Sequence, residues 1–531
     1  MATSHDAVVN QVSATVRAFH ARGEPFRVFH GSTNSTRPAH DARLVDISAL
    51  NNVLRVDEAA KIAVVEPNVP MDKLVQATLA HGMVPPVVME FPGITVGGGF
   101  AGSAGESSSF RYGYFDQTVK SVELVLATGE VVRASHHKNP DLFRGAAGTT
   151  GTLGIATKLE LNLIPARRFV KLEYHRYSTV GDTLTAVRRA TDDPANDYVD
   201  GIIFSKTLGL VMTGKLTDEI PPSTRPRTFS GSWDPWFYLH AKQRANSQPE
   251  PKDNRPDLDA PTDYIPLAEY LFRYDRGGFW VGAQAFAYFP FMPFNRLTRW
   301  LLNDFMHTRM LYRALQGSNM SFGHMVQDLS LPYGTAEAFI DYTADQLNIW
   351  PLWLCPLKGI APPSFHPSYC GPAGDGPPQP MINIGLWGAA SEDVETFVRQ
   401  NRELENRLTE LGGRKVLYSH TYYSEDEFWE LYDRGWYEGL RERYGATTLP
   451  TLYDKVHVDV AKATRKDKGR GGWRGRLAGI WPIPGLIGII SAIRSKDYLI
   501  HRQPCWTYWK GLGVPLRGRV QVTKGREHTT G

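Results

Sequence analysis

The chain has 531 residues, of which 42% are hydrophobic and 21% are charged, and its formal net charge is +4. This composition is typical of a soluble globular protein and excludes disorder, a collagen-like chain or a coiled coil as a description of the whole. The small net charge argues against a dedicated nucleic-acid-binding protein, and three cysteines are too few to cross-link so large a fold, so we expect free thiols in a reducing compartment.

The first part of the chain is predicted to alternate short strands and helices. The N-terminal residues place Val8, Val12, Val16 and Phe19 at helical spacing, without the apolar core of a signal peptide. The further elements predicted are strands at 26–29, 43–47 and 61–65, a helix at 71–81, a hairpin formed by 121–127 and 130–134, and a strand at 155–163.

The pattern changes after residue 170, where a second group of elements is predicted. These elements are strands and a helix within 170–215, a Pro- and Asp-rich connector at 221–262, an aromatic stretch at 265–325, buried strands at 349–356 and 381–387, and a helix at 392–411. We find no internal repeat, and no run of continuous apolar residues reaches the roughly 18 to 20 needed to span a membrane.

Three glycine-containing loops lie at residues 31–36, 97–102 and 145–155. The second loop fits the pattern GxGxxG, but Pro92-Gly93 interrupts the strand that should enter it, and small polar residues follow it, so a Rossmann site is disfavoured. Glycine lets backbone amides approach a diphosphate closely, and Ser and Thr hydroxyls can donate to its oxygens. One such loop is usually only a turn, but three among short strands predict a dinucleotide site.

Eight segments within residues 26–165 carry a family resemblance in their order and spacing. They are FHGSTNS (29–35), LVDIS (44–48), VVEPNV (64–69), TVGG (95–98), YG (112–113), ELVLATG (123–129), DLF (141–143) and GTLG (151–154). Together they resemble the FAD-binding domain of the p-cresol methylhydroxylase and vanillyl-alcohol oxidase superfamily.

Further segments, up to about residue 457, are similar to one family within that superfamily, the delta-24 sterol reductases of the Diminuto type. They are GESSS (105–109), FVKL (169–172), VMTG (211–214), YIPL (264–267), QD (327–328), IWPLWLCP (349–356) and EFWE (427–430). The resemblance implies FAD, NADPH as hydride donor and a sterol or terpenoid substrate with an isolated side-chain double bond. It also implies the cytosolic face of the endoplasmic reticulum membrane, or the cytoplasm if the C-terminal tail is not an anchor.

The resemblance implies an α+β fold with four parts. We expect a two-subdomain FAD-binding PCMH-type domain at 1–166, an α+β substrate (cap) domain at 167–411, a segment at 412–458 that returns to the flavin, and a basic, partly apolar tail at 459–531. The implied cofactor contacts are Gly31, Ser32, Thr33, Asn34, Ser35, Thr95, Val96, Gly97, Gly98, Ser103, Glu106, Ser107, Ser108, Gly151, Thr152, Gly154 and Ile155.

One departure from the superfamily bears on how FAD is held. Many members carry a histidine in the first loop that bonds covalently to the flavin, and the corresponding position here is Asn34. We therefore predict non-covalent FAD. A second departure concerns the membrane. The resemblance implies a membrane segment at the N-terminal end, whereas the basic and apolar segment of this chain lies at its C-terminal end.

Reduction of an isolated alkene needs a hydride and a proton from a well-placed acid. The segment 412–423 lies where related oxidases carry a strand beside the flavin, and strand alternation would place Tyr418, His420 and Tyr422 on one face. We expect Tyr418 or His420 to donate the proton, whereas Tyr422 could instead be a core aromatic. Glu106 is interpreted as a cap for backbone amides rather than an acid, and Asp328 as structural.

Two apolar segments are left with open interpretations. The aromatic run Phe279, Trp280, Phe286, Tyr288, Phe289, Phe291, Phe294 and Trp300 could line the substrate channel, touch a bilayer or form core, and the nearby Arg273 and Arg276 are interpreted as solvated. Near the C-terminus, a basic run at 462–476 precedes an apolar patch with Trp481, and then Arg494 and Lys496. Residues 462–496 could therefore bind an anionic membrane surface, or form a solvated tail with a docked helix.

Two other functions remain open at this point, and the sequence does not indicate the oligomeric state. The first is an FAD-dependent oxidase of an alcohol or sugar lactone with the same fold. The second is a non-catalytic, membrane-associated scaffold that keeps the fold. Bleaching of bound flavin by NADPH under anaerobic conditions would separate the reductase from both.

Overall fold

The computed structural model describes residues 4–31, 43–249, 260–318, 323–391, 393–460 and 481–502. Two antiparallel sheets organise these residues, one of five strands in the N-terminal part and one of eight strands in the part that follows. Helices lie against both sheets, so the predicted α+β class is confirmed.

The strands of the N-terminal part are β1 (Arg27–Phe29), β2 (Leu44–Asp46), β3 (Val53–Asp57), β4 (Ile62–Val65), β5 (Met83–Val84), β6 (Val119–Val125), β7 (Val131–Ser135), β8 (Ile155–Asn162) and β9 (Ile164–Pro165). Five of them form the five-stranded sheet in the order β3-β4-β8-β6-β7, while β1 pairs with β2 and β5 pairs with β9. Its helices are α1 (His5–Ala21), α2 (Met71–Leu79), α3 (Val96–Ala101), α4 (Ser109–Tyr112), α5 (Pro140–Ala146) and the 3-10 helix Phe115–Thr118.

Local sequence patterns account for most of these elements. The three valines Val8, Val12 and Val16 of α1 are buried, as their spacing predicts. Strand β8 alternates buried and partly exposed side chains, which is the pattern of a strand with one face on the core. The predicted hairpin is confirmed, since β6 and β7 pair antiparallel across the turn at Gly129.

The second sheet has the strand order β13-β10-β12-β11-β15-β16-β14-β17. Its strands are β10 (Phe169–Tyr177), β11 (Tyr198–Ser205), β12 (Leu208–Thr217), β13 (Thr262–Pro266), β14 (His324–Pro332), β15 (Leu352–Leu357), β16 (Met381–Ala389) and β17 (Arg414–Lys415). Helices α6 (Val180–Asp192), α12 (Tyr333–Gln346) and α13 (Val394–Glu410) contribute to one hydrophobic core with this sheet.

The two faces of the second sheet belong to different cores, which explains why β15 is a continuous apolar run. In β15, Leu352 and Leu354 pack in the core shared with α6, α12 and α13. The alternate residues Trp353, Cys355 and Leu357 join the core that also contains the N-terminal part. A strand buried on both faces needs apolar side chains at every position.

The remaining helices all follow β12 in the chain. They are α7 (Phe237–Asn246), α8 (Leu267–Leu271), α9 (Val281–Tyr288), α10 (Arg296–Leu301), α11 (Thr308–Ser318), α14 (Glu425–Leu431), α15 (Arg434–Arg443), α16 (Leu452–Val456) and α17 (Ile483–Ser495), with 3-10 helices Asn303–Phe305 and Asp497–Arg502. Among the helices described, none combines the length and the apolar character needed to cross a bilayer.

The strand predicted over 412–423 is wrong beyond its first residues. Strand β17 contains only Arg414 and Lys415, and a turn follows. The buried Lys415 Nζ donates to Glu405 Oε1 at 2.7 Å and to the carbonyl of His420 at 2.6 Å, so it folds the segment back on itself. Strand alternation therefore does not place Tyr418, His420 and Tyr422 on a common face.

The interpretation of two arginines as solvated is also wrong. The side chains of Arg273 and Arg276 are both buried. Arg273 donates to Asp200 at 2.8 Å, and Arg276 donates to backbone carbonyls, among them that of Phe229 at 2.8 Å. The buried acceptors compensate for the loss of water around each guanidinium.

Candidate active site

A cavity of about 440 Å³ lies between the N-terminal part and the second sheet. The N-terminal part contributes the loops around residues 27–30, 67–68, 89–106 and 150–156. The second part contributes residues from α11, β14, β15 and β16 and from the turn after β17. The cavity therefore joins the predicted cofactor loops to the predicted substrate domain.

Two of the three predicted glycine loops line this cavity, and they are direct neighbours, since the amide of Thr150 donates to the carbonyl of Ala101 at 3.0 Å. Gly97, Gly98, Gly151 and Gly154 are at the wall, together with the predicted contacts Thr95 and Ile155. A Cβ atom on Gly97 would lie 2.8 Å from Cβ of Pro67, so only glycine permits this close approach. Gly151 has φ +78°, which also favours glycine.

The first predicted loop is described only at its beginning. His30 lines the cavity and precedes Gly31, whose φ is +70°. The predicted contacts Ser32, Thr33, Asn34 and Ser35 lie outside the described residues.

The other predicted cofactor contacts are buried around the cavity, and several have partners within the protein. Glu106 lines it and accepts from the backbone amides of Glu90 at 2.9 Å and Ser107 at 3.3 Å, so its interpretation as an amide cap is confirmed. Six predicted contacts among the described residues do not line the cavity: Gly31, Val96, Ser103, Ser107, Ser108, whose hydroxyl donates to the carbonyl of Pro86, and Thr152, which accepts from Tyr437.

The residues of the cofactor end fit a ligand rich in hydrogen-bonding groups. Oγ1 of Thr150 is shielded from solvent and has no hydrogen-bond partner among the described residues, although Thr150 lines the cavity. Next to it, Nζ of Lys455 donates to the carbonyl of Thr150. Burial, and then the charge of Lys455, lower the pKa of His30. A free hydroxyl, a cation and glycine backbone together suit the polar groups of FAD.

Where β14 and the turn after β17 form the wall, a tyrosine and an aspartate line the cavity as a hydrogen-bonded pair. The hydroxyl of Tyr418 is hydrogen-bonded to Asp328 and accepts from Nε1 of Trp387 at 3.4 Å. Asn383 donates to Asp328 at 2.7 Å. Burial raises the pKa of Asp328 to about 6, although the hydrogen bonds from Asn383 and Tyr418 act in the opposite direction. The pKa of Tyr418 is also raised, first by burial and then by the charge of Asp328.

A second carboxyl group lines the same cavity. Burial raises the pKa of Glu90 to about 8, so this carboxyl is mostly neutral at pH 7. The charge of Asp328 raises it further, and the charges of Glu90 and Asp328 also raise the pKa of Tyr312, after burial. The four acids Glu90, Asp328, Tyr312 and Tyr418 therefore form one electrostatically coupled group at the cavity wall.

The rest of this end of the cavity is aromatic and aliphatic. Its rings are in mutual contact, with centroid separations of 4.4 Å for Phe279 and Trp387, 5.3 Å for Phe279 and Trp353, and 5.5 Å for Phe91 and Phe279. Leu311 and other aliphatic side chains complete the wall. Such a wall excludes water and suits a large hydrocarbon ligand.

A buried ion pair supports this aromatic wall from behind. The carboxylate of Asp200 accepts from Arg273 at 2.8 Å, from the hydroxyl of Tyr274 at 2.8 Å and from Nε1 of Trp353 at 3.2 Å. The rings of Tyr274 and Phe279 are stacked with centroids 4.0 Å apart. The ion pair therefore fixes the orientation of the Trp353 ring, which lines the cavity, and of the Tyr274 ring behind it.

Of the three residues predicted to be catalytic, the structure brings one to the cavity. Tyr418 lines it, whereas His420 and Tyr422 do not. Tyr422 is buried in the other core, with its ring 6.3 Å from that of Phe397. His420 is partly exposed, and its carbonyl accepts from Lys415.

Four residues of this site were not predicted from the sequence. Glu90, Tyr312 and Lys455 lie in unremarkable local patterns, and Asp328 was interpreted as structural although it belongs to the family segment QD. Only folding brings them together, because they come from a loop, a helix, a strand and a C-terminal helix that are distant in the chain. The family segment around Asp328 is the one signal that could have indicated it.

Comparisons with known proteins bear on the cofactor and on the whole chain. Residues 7–135 match the family described as FAD binding domain. The chain is 30% identical over 414 residues to the delta(24)-sterol reductase of Homo sapiens, covering 77% of this chain and 76% of the relative. It is 27% identical over 445 residues to that of Pisum sativum, with the same two coverages. Cytokinin dehydrogenase 4 of Oryza sativa subsp. japonica is 31% identical over 137 residues, which are 25% of this chain and 26% of the relative.

Proposed function

Because the chain belongs to the family of delta(24)-sterol reductases and is an FAD-dependent oxidoreductase, we propose that it reduces an isolated double bond in the side chain of a sterol or related terpenoid, with NADPH as the source of hydride. The observation that carries this proposal is the single cavity in which glycine loops meet a water-excluding aromatic wall with four acids. The glycine end suits the cofactor, and the aromatic end suits an apolar alkene.

The cofactor end is proposed to hold FAD without a covalent bond. The glycine backbone at 97–98 and 151–154, Thr150 and Lys455 are the described groups that would contact it. A bound FAD would supply the hydride chemistry, taking hydride from the nicotinamide and transferring it to the more substituted alkene carbon. The amide cap formed by Glu106 keeps the loop from Glu90 to Ser107 in the shape that this cavity requires.

At the substrate end, the residues of this protein supply the proton. A phenol whose pKa is raised is by itself a weak donor to an unactivated alkene, so Tyr418 needs a partner that replaces its proton. Asp328 is that partner, because it is hydrogen-bonded to Tyr418 and its pKa of about 6 leaves part of it protonated near neutral pH. Asp328 gives its proton to the Tyr418 oxygen as Tyr418 gives its own to the less substituted alkene carbon.

The wall around this pair favours the transition state for protonation. Positive charge develops at the more substituted alkene carbon as the proton arrives, and the faces of Trp353, Trp387 and Phe279 can stabilise a nearby cation. The same rings exclude water, which would otherwise capture the cationic carbon.

Two measurements test the proposal. Under anaerobic conditions NADPH should bleach the bound flavin, and incubation with a side-chain-unsaturated sterol should give a product heavier by two mass units. If an alcohol or a sugar lactone bleaches the flavin and NADPH does not, the protein is an oxidase and the reductase proposal is wrong. If the purified protein binds no FAD, the scaffold interpretation replaces it.

A further inference from the structure

Most of the exposed large hydrophobic side chains of the described residues lie on one surface. They belong to segments 291–301 and 481–499, which we call the apolar surface: Phe291, Phe294, Leu297, Trp300, Leu301, Trp481, Leu486, Ile487, Ile489, Ile490, Ile493 and Leu499. Trp233 joins them, since its ring stacks on that of Trp300 with centroids 4.8 Å apart. Monomeric soluble proteins rarely expose so much contiguous apolar area without a partner.

Contacts at both ends join the two segments into one surface. Nε1 of Trp481 donates to the carbonyl of Tyr288 at 2.8 Å, and the ring of Phe289 lies 5.7 Å from that of Phe291. At the other end, the rings of Phe305 and Tyr498 are 5.6 Å apart. The apolar surface is therefore continuous from α10 to the end of α17.

Helix α17 buries its small side chains and exposes its large apolar ones, the reverse of a helix at a water-facing surface. Its small residues Gly488 and Ala492 are buried, and a Cβ atom on Gly488 would lie 2.4 Å from the carbonyl of Ala314 in α11. Its large residues, including Ile487 and Ile490, are exposed. A helix at a water-facing surface normally buries its large apolar side chains and exposes small or polar ones.

Most of the charges around the apolar surface are positive. Arg296, Arg299, Arg494 and Lys496 flank the exposed aliphatic side chains. Two acids lie at its edges, Asp304 after α10 and Asp497 after α17, and Asp497 is paired with Arg313 at 3.0 Å. Residues 462–476, which precede α17 in the chain and lie outside the described residues, contain seven basic residues and one acid. Exposed aliphatic residues flanked by cations, with tryptophans at the border, are the pattern of an interfacial helix on an anionic bilayer.

We propose that the apolar surface docks on the surface of an anionic lipid bilayer, with α17 lying in the plane of the membrane. The helix beneath it, α11, contacts α17 closely, as Gly317 shows: a Cβ atom there would lie 2.5 Å from Cβ of Ser491. Leu311, Tyr312 and Leu315 of the same α11 line the cavity. Entry of the substrate from the bilayer rests on the proposed sterol or terpenoid substrate. Such a lipid, dissolved in the bilayer, enters the cavity beside α11 without crossing water.

Vesicle binding tests the docking without reference to catalysis. We would measure co-flotation of the full-length protein with vesicles of phosphatidylcholine alone and with 30% phosphatidylserine (about one third anionic lipid, enough for polybasic attraction). The expected result is binding to the anionic vesicles that weakens in high salt. The double variant Ile487→Glu/Ile490→Glu should bind at least about tenfold more weakly, because two carboxylates would have to enter the interface.

The matched control is Leu54→Glu/Val131→Glu, which changes two equally exposed apolar residues outside the apolar surface. It should bind vesicles like the unchanged protein, and both variants should keep the visible absorbance of bound FAD, which shows that they fold. Equal binding by all three proteins would overturn the proposal. Conversion of a dimer to a monomer by Ile487→Glu/Ile490→Glu, with vesicle binding unchanged, would also overturn it, because the surface would then be an interface between two copies.

Activity separates this proposal from the proposed function. With substrate in detergent micelles, Ile487→Glu/Ile490→Glu should react as fast as the unchanged protein, and with substrate in vesicles it should be slower by about the loss in binding. If the unchanged protein binds anionic vesicles but reduces no sterol in either form, the docking stands and the substrate proposal fails.

Discussion

Asn383 donates a 2.7 Å hydrogen bond to Asp328 from the neighbouring strand, next to the point where Asp328 bonds to Tyr418. Ser330, two residues further along β14, donates to the other side of the Asn383 amide at 3.2 Å. The amide is thereby fixed with its nitrogen toward Asp328. Asp328 is held in place on a rigid sheet, which is what a proton relay between two side chains requires.

Removal of either member of the Asp328–Tyr418 pair is expected to stop proton delivery while leaving the flavin reducible. We expect Tyr418→Phe and Asp328→Asn each to lower kcat by about 10² to 10⁴, the usual contribution of a general acid. Anaerobic bleaching by NADPH should stay within a few-fold of normal. Tyr422→Phe and His420→Gln are the controls, since neither residue lines the cavity, and a comparable loss in either would contradict the assignment.

The same pair predicts how the rate depends on pH. The relay starts from protonated Asp328, and the pKa of Asp328 is about 6. The rate of alkene reduction by pre-reduced enzyme should therefore rise as the pH falls toward 6 and decline about tenfold per pH unit well above it. Stopped-flow single-turnover measurements would check this, and a rate independent of pH between 6 and 8 would exclude Asp328 as the proton source.

Glu90 is expected to lower the stability of the folded protein at high pH. Its folded pKa of about 8 lies above the usual 4.5, so folding favours the protonated form, and stability is lost as the pH rises from about 4.5 to about 8. This difference corresponds to at most about 5 kcal/mol. Glu90→Gln should therefore raise the free energy of unfolding at pH 9, measured by urea denaturation, and the control Glu219→Gln, an exposed position, should not.

Lys455 is expected to contribute to cofactor affinity. Its ammonium group reaches the backbone of Thr150, whose hydroxyl has no partner in the described part of the chain, so it can form a charge-assisted hydrogen bond to a bound acceptor. Loss of such a bond costs about 1.5 to 3 kcal/mol, and Lys455→Met should weaken FAD binding roughly 10- to 100-fold in a fluorescence titration. Lys120→Met, at an exposed position of β6, should have no effect.

The buried ion pair behind the aromatic wall is expected to dominate local stability. Asp200→Asn would leave the guanidinium of Arg273 buried without its charged partner, which costs about 3 to 5 kcal/mol. Thermal and denaturant unfolding should both show the loss. The exposed pair of Lys206 and Asp345 is the control, and Asp345→Asn should leave the free energy of unfolding nearly unchanged, because solvent screens this pair.

Non-covalent attachment is expected for the flavin, because Asn34 stands where a flavin-linking histidine would be. Acid precipitation should release all yellow colour into the supernatant. Colour that stays with the precipitated protein would show a covalent bond, and peptide mapping would then test His30, which lines the cavity.

Local patterns predicted those elements whose determinants are close in sequence. The spacing of Val8, Val12 and Val16 predicted α1, and the Thr128-Gly129 turn predicted the β6–β7 hairpin. The segment after Gly412 was predicted wrongly because its conformation depends on the contact of Lys415 with Glu405, which α13 supplies. Strand propensity could not anticipate a buried ammonium that draws the backbone back.

The amino-acid sequence by itself determined the family, the flavin and the glycine loops, because each depends on residues that are close together along the polypeptide. Only the tertiary structure decided which acids share the cavity. Glu90, Tyr312, Asp328 and Tyr418 come from four separate elements, and burial in a common site, a property of the whole fold, gives them their shifted pKa values. The orientation of α17, with its small residues inward, was equally decided by its contact with α11.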